Sequence, residues 1–211
     1  MSYWEHRKPV QRARAEDIAA VARASCDALD AGGLRALTLR TVAGDLGVAP
    51  ASLYSRVSGV EDLFDLALDA ALGDDADLGE ALEHDDLHPI LLAFFRHLLR
   101  HPWACQVIGF RAPRGPHYLR LSERLCVLLD TAGITDPLTA SYALSNFIIG
   151  SAMTAPISGH ERSAPVDEQA APRYAALHAQ HHADPELIVE SGLSALLAQF
   201  TRAPSSPESP S

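Results

Sequence analysis

Residues 38–57 read TLRTVAGDLGVAPASLYSRV. Two short apolar-periodic runs meet at the Gly47-Val48 step. In the first, Leu39, Val42, Ala43 and Leu46 recur at helical spacing, and Thr38 stands where an N-cap is needed. Gly47 supplies a left-handed stop. Pro50 opens the second run in the first-turn position, where its missing N–H costs nothing. Only Leu53 and Val57 of that run are spaced to face inward. Ala51, Ser52, Tyr54, Ser55 and Arg56 are left outward. Helices this short are marginal alone, so both must share a core with a third.

The third lies just upstream. Residues 14–31 place Ile18, Val21, Ala22, Ser25 and Leu29 on one helical face. Glu16 and Asp17 suit its N-terminal dipole, and Gly32-Gly33 end it. Three helices with a Gly-Val turn between the last two make a helix-turn-helix. A second helix that spends two residues on the core and presents small or hydrogen-bonding side chains can approach a DNA major groove closely. Ser58 and Glu61 then read as a capping box opening a long helix, VEDLFDLALDAALG.

Charge is distributed unevenly. Residues 1–60 carry eight Lys/Arg against six Asp/Glu, whereas the rest carries nine against 21. A mildly basic head on an acidic body hints at a polyanion partner at one end. The chain has no apolar run of membrane-spanning length and no signal-peptide core, so a cytoplasmic protein with no membrane partner is expected. Cys26, Cys105 and Cys126 are odd in number and far apart, which fits reduced thiols.

Beyond residue 73 the acidic segment GDDADLGEALEHDDLH precedes apolar-rich helices at roughly 88–100, 102–110, 116–132, 136–156, 168–182 and 184–200, with prolines at their starts or between them. The expected fold class is all-α. A flexible basic arm (1–13) leads into a helix-turn-helix head (14–60), a connecting helix and linker (60–85), a helical body (86–201) and a disordered tail (202–211).

The stretch LTLRTVAGDLGVAPASLYSRVSGVEDLFDLAL resembles the N-terminal DNA-binding domain of the tetracycline-repressor (TetR) family of bacterial regulators. Thr38, Leu46-Gly47-Val48, Leu53-Tyr54 and Ser58-Gly59 carry the likeness, over about residues 12–72. The segments HPWACQVIGFRAPRGPHYLRLSERLCVLLDTAGI and ELIVESGLSALLAQF are similar, more loosely, to that family's ligand-binding and dimer-forming domain. The resemblance implies phosphate contacts from Thr38, Arg40 and Tyr54, with Thr41 beside them. It implies base-edge contacts from the helix that starts at Pro50, through Ala51, Ser52, Ser55 and Arg56. Two positions depart from the pattern: Ala49 replaces a frequent capping Ser, and Val60 stands where many members have a phosphate-contacting Lys. Arg7, Lys8, Arg12 and Arg14 of the arm could compensate.

For the body, the resemblance implies a largely apolar small-molecule pocket. Phe94, Phe95, Trp103, Phe110, Tyr118 and Phe147 are its expected apolar lining, with His97 and Asn146 as polar partners. The same residue types also build ordinary bundle cores. Gln106, Ser145 and Arg111 are further polar candidates. Leu144, Ile148, Ile149, Leu187, Ile188, Leu193, Leu196 and Leu197 give the helices near 136–156 and 184–200 more apolar surface than one core face needs, which points to a homodimer. His97 and His101 share a face, and His178, His181 and His182 cluster, but no HExxH or cysteine-rich spacing accompanies them, so no metal and no cofactor are expected. The function these features imply is a repressor released from a palindromic double-stranded operator by a small molecule. The alternative is a helical enzyme or ligand-sequestering protein of unrecognised chemistry, although phosphate loops and GxSxG are absent.

Overall fold

A computed structural model of the chain describes residues 2–6, 12–158, 163–180 and 184–201, and among these it contains helices and turns but no strand. The tail 202–211, His181, His182 and the arm residues Arg7 and Lys8 lie outside the described residues, as do the side chains of Arg12 and Arg14.

The head is built as the sequence expects. Helix α2 (Arg12–Gly32) ends at Gly33, whose φ of 65° closes the helix while its N–H reaches Leu29 O at 2.8 Å. Helix α3 (Leu39–Asp45) is capped by Thr38, whose hydroxyl accepts the Thr41 N–H at 3.0 Å. Gly47, at φ 64°, makes the turn. Helix α4 (Pro50–Leu53) has Pro at its first turn and Ala49 as an N-cap without a side-chain bond. Val21, Leu29, Val42, Leu53 and Val57 close the small core.

Two expectations are corrected here. The arm expected to be flexible over residues 1–13 is ordered at its start. Residues Tyr3–His6 form a short helix, α1, against α5 (Val60–Gly73), with Tyr3 buried. The cause is Asp65 of α5, which accepts the Tyr3 N–H at 2.8 Å and the Ser2 hydroxyl at 3.1 Å. The Ser58–Glu61 capping box does not form either. Gly59 is the N-cap, and the Ser58 N–H goes to Asp62 at 2.7 Å.

The acidic linker is folded too. Asp75 caps helix α6 (Ala76–Ala81) through the Leu78 N–H, and Leu78, Ala81 and Leu82 are buried. The body is formed by α7 (Leu87–Arg100), α8 (Pro102–Phe110), α9 (Pro116–Thr131), α10 (Pro137–Thr154), α11 (Pro172–His178) and α12 (Pro185–Thr201). Helix α7 is its axis: Ile90, Leu91, Phe94, Phe95 and Leu98 are fully buried, and α6, α8, α9, α10 and α12 pack around it. No helix of the described residues is long and apolar enough to cross a membrane.

Candidate DNA-binding and effector sites

The outward face of the head has the composition its sequence suggests. Thr38, Arg40, Pro50, Ala51, Tyr54 and Ser55 are exposed, and Thr41 and Ser52 are half-buried. Tyr54 is 63% exposed, so it is not a core tyrosine. Helix α4 is shorter than expected: Tyr54, Ser55 and Arg56 continue it as a turn. The Ser52 and Ser55 hydroxyls bond back to Ala49 O (2.6 Å) and Ser52 O (2.8 Å), a bonding pattern that competes with a regular ladder. Arg56 does not stand free. Its guanidinium meets Asp17 of α2 at 3.0 Å.

Helix α5 joins head to body, and three buried aspartates on one of its faces make the joint. Asp62 faces the head through Ser58. Asp65 holds α1 and takes a bidentate pair from Arg111, Nε at 2.6 Å and Nη2 at 2.7 Å. Burial alone would push the Asp65 carboxyl up, but the bonds from Arg111, Tyr3 N–H and Ser2 outweigh it and hold the carboxyl below its ordinary value. Asp69 caps α9 by accepting the His117 and Tyr118 N–H groups at 2.9 and 3.2 Å, and here burial wins and pushes the carboxyl up.

Gly115 is the N-cap of α9, and a Cβ there would sit 2.0 Å from Asp69 Oδ1. Gly115→Ala is therefore expected to cost about 1–3 kcal/mol of stability, as over-packing of a tight site does. Thermal melting would show it, and an unchanged midpoint would mean that the Asp69 cap is dispensable. Sequence reading missed the roles of Asp65 and Asp69. The signal was present: Asp62, Asp65 and Asp69 share a helical face in an otherwise apolar segment.

In the body, the eight residues expected around one pocket are dispersed. Phe94, His97 and Tyr118 do come together. The Phe94 ring stacks on His97 and meets Tyr118 edge-on, each at 6.4 Å between centroids. Phe95 is sealed in the core. Trp103 is buried, and its indole N–H is committed to Asp30 of α2 at 2.6 Å. Phe110 is exposed and packs edge-on against Phe64 of α5. Asn146 is exposed on α10. Phe147 fills the space above Gly192 of α12, where a Cβ would lie 2.2 Å from its ring. Arg111, a polar pocket candidate, is bound to Asp65 instead. A separate cavity of about 340 Å³ lies at the joint, between Trp4, Ile18 and Arg23 on one side and Leu66, Asp69 and His117 on the other. None of the eight expected residues lines it.

His97 is the unusual group. Its side chain is fully buried, Nδ1 lies 2.7 Å from Asp75, and Nε2 has no partner among the described residues. Burial lowers its pKa to about 4, against the pull of Asp75, so the ring is neutral near pH 7. With Asp75 ionised, Nδ1 carries the proton and Nε2 is a bare acceptor. The unfolded chain takes up this proton near pH 6.5 and the folded chain only near pH 4. Stability is therefore expected to fall by roughly 3 kcal/mol as pH drops through that window. Denaturant titrations across pH 4–7 of wild type and His97→Phe should show a flatter profile in the variant. Parallel profiles would assign the loss to other groups.

Residues 84–202, more than half of the chain, match the family described as "Tetracyclin repressor-like, C-terminal domain". An HTH-type transcriptional regulator of Saccharopolyspora erythraea is 35% identical over 149 residues, 68% of this chain and 63% of that protein. The HTH-type transcriptional repressor DrrR1 of Streptomyces coeruleorubidus is 34% identical over 140 residues, 63% of this chain and 51% of that protein. The chain thus spans less than two thirds of the length of either curated relative. Among solved structures, the TetR family protein ActR of Streptomyces coelicolor in complex with (S)-DNPA is similar at a TM-score of 0.67 and 25% identity, covering 92% of this chain and 98% of that one.

Proposed function

This chain belongs to the tetracycline repressor family of transcriptional regulators, and we propose that it acts as a cytoplasmic homodimeric repressor that leaves a palindromic operator when a small molecule binds. The observation that carries the reading is the pairing of Leu53 and Val57, fully buried, with an exposed Thr38, Arg40 and Tyr54 on the same short unit. Residues 14–60 are the DNA-reading head, 60–85 transmit movement and 86–201 take ligand and partner. The regulator names of the relatives support this class over a helical enzyme or a ligand-sequestering protein.

Arg56 reads DNA only if it shares or leaves Asp17. Asp17→Asn removes the competing carboxylate and is expected to tighten operator binding several-fold at low salt, less at high salt. Fluorescence anisotropy on wild type and variant measures this, and equal affinity would remove Arg56 from the contact set.

For the partner surface, Leu144, Ile148 and Leu193 are consumed by the subunit's own core, but Leu187, Ile188, Tyr142 and Met153 stay exposed on α12 and α10. These faces pair with a second copy, and light scattering at micromolar concentration should return twice the chain mass.

The ligand is an apolar molecule with a hydroxyl or N–H group. It seats against Phe94 and Tyr118 and donates to His97 Nε2, an acceptor with no partner among the described residues. The movement it causes reaches the head through α5. A molecule that weakens DNA binding must itself bind less tightly to the DNA-bound form.

A further inference from the structure

At the joint between head and body, we propose that Cys26, Asp30 and His101 form a binding site for a divalent transition-metal ion of the zinc class. Cys26 and Asp30 are one turn apart on α2, and His101 sits at the corner between α7 and α8. One ligand atom from each lies within 4.8 Å of the other two. Cys26 Sγ is 3.6 Å from Asp30 Oδ2, and His101 Nδ1 is 2.8 Å from Asp30 Oδ1. Tetrahedral zinc with bonds of about 2.0–2.3 Å needs donor separations of about 3.3–3.8 Å, so small rotations of these side chains suffice.

The donor set is one sulfur, one nitrogen and one oxygen, which favours zinc or cobalt over magnesium or calcium. Trp103 donates its indole N–H to Asp30 at 2.6 Å, an outer bond of the kind that fixes a ligating carboxylate. The adjoining open cavity, about 410 Å³, is lined by Asp27, Asp74, Asp75 and Asp77 with Arg100 as the one cation among its lining residues. Its field attracts a cation, and its water can take the fourth position. Binding converts the Cys26 thiol to a thiolate, with the proton released to solvent. The ion would strengthen the tie that Trp103 and His101 already make between the C-terminal end of α2 and the body.

Titration of the reduced full-length chain with Co²⁺ tests the site without DNA or effector. Expected is about one equivalent bound, with a thiolate-to-cobalt charge-transfer band, and displacement by Zn²⁺. Cys26→Ser and Cys26→Ala should each lose the band, His101→Gln should weaken binding roughly tenfold or more, and Cys126→Ser should change nothing. Zn²⁺ should raise the melting temperature of wild type but not of folded Cys26→Ser. Absence of the band, its persistence in both Cys26 variants, or unchanged affinity in His101→Gln would overturn the proposal. Failure of operator binding would leave these signals intact, so the site and the regulatory reading are tested apart.

Discussion

Asp65→Ala is expected to lower the unfolding free energy by about 3–5 kcal/mol, the cost of removing one partner from a buried ion pair. The carboxylate is 4% exposed and joins α1, α5 and Arg111 in a single cluster of hydrogen bonds. Its loss strips Arg111 of a bidentate partner and α1 of its cap. Asp65→Asn should cost less, because an amide still accepts one bond. Urea unfolding of the three proteins checks the order. The same cluster gives acid sensitivity below the window of His97. The lowered carboxyl of Asp65 stabilises the fold above the ordinary aspartate range, and that stabilisation is lost as pH falls through its depressed folded value. An Asp65→Ala variant as stable as wild type would mean that the joint is held by apolar packing of Leu63, Leu66 and Ala67 alone.

The second large effect is on DNA. Tyr54→Ala and Arg40→Ala should each weaken operator binding by about 1–3 kcal/mol while leaving the melting temperature within a degree or two, since both side chains are exposed. They should differ in salt dependence. Arg40 carries a charge to phosphate, so its loss should lower the slope of log affinity against log salt by about one. Tyr54 is neutral, so its loss should leave the slope unchanged. If both variants bind as wild type does, the α3–α4 face is not the reading surface.

The parts of this design visible in the sequence are those set by local periodicity and turn chemistry. Thr38, Gly47 and Pro50 announce the α3–turn–α4 unit, and the spacing of Leu53 and Val57 shows how little of α4 the core holds. The joint was less legible, because its partners are far apart in the chain. Nothing near Asp65 reveals that Arg111, 46 residues on, and the Tyr3 N–H converge on it. The same holds for Asp75, which caps α6 and receives His97 and Arg100, the latter at 2.5 Å, from α7. An acidic, glycine-containing segment reads as a linker until the His97 ring and the Arg100 guanidinium are placed beside it. The body's aromatic residues illustrate the converse limit. The family resemblance implies Phe94, Phe95, Trp103 and Phe110 alike as pocket lining. Their places, from a sealed core for Phe95 to an exposed edge contact for Phe110, depend on tertiary packing.

A dimer whose heads read a palindrome and let go when the body is occupied would reveal itself in fluorescence anisotropy of the full chain on the DNA flanking its own coding sequence. One dimer per site is expected, with a dissociation constant of about 10⁻⁸ M or tighter at physiological salt, roughly a thousandfold or greater preference over scrambled DNA, and half-sites one helical turn apart. An apolar phenol or amine that reaches His97 should then release the complex. Equal, weak binding to operator and scrambled DNA, or a specific complex of one chain per site, would contradict it.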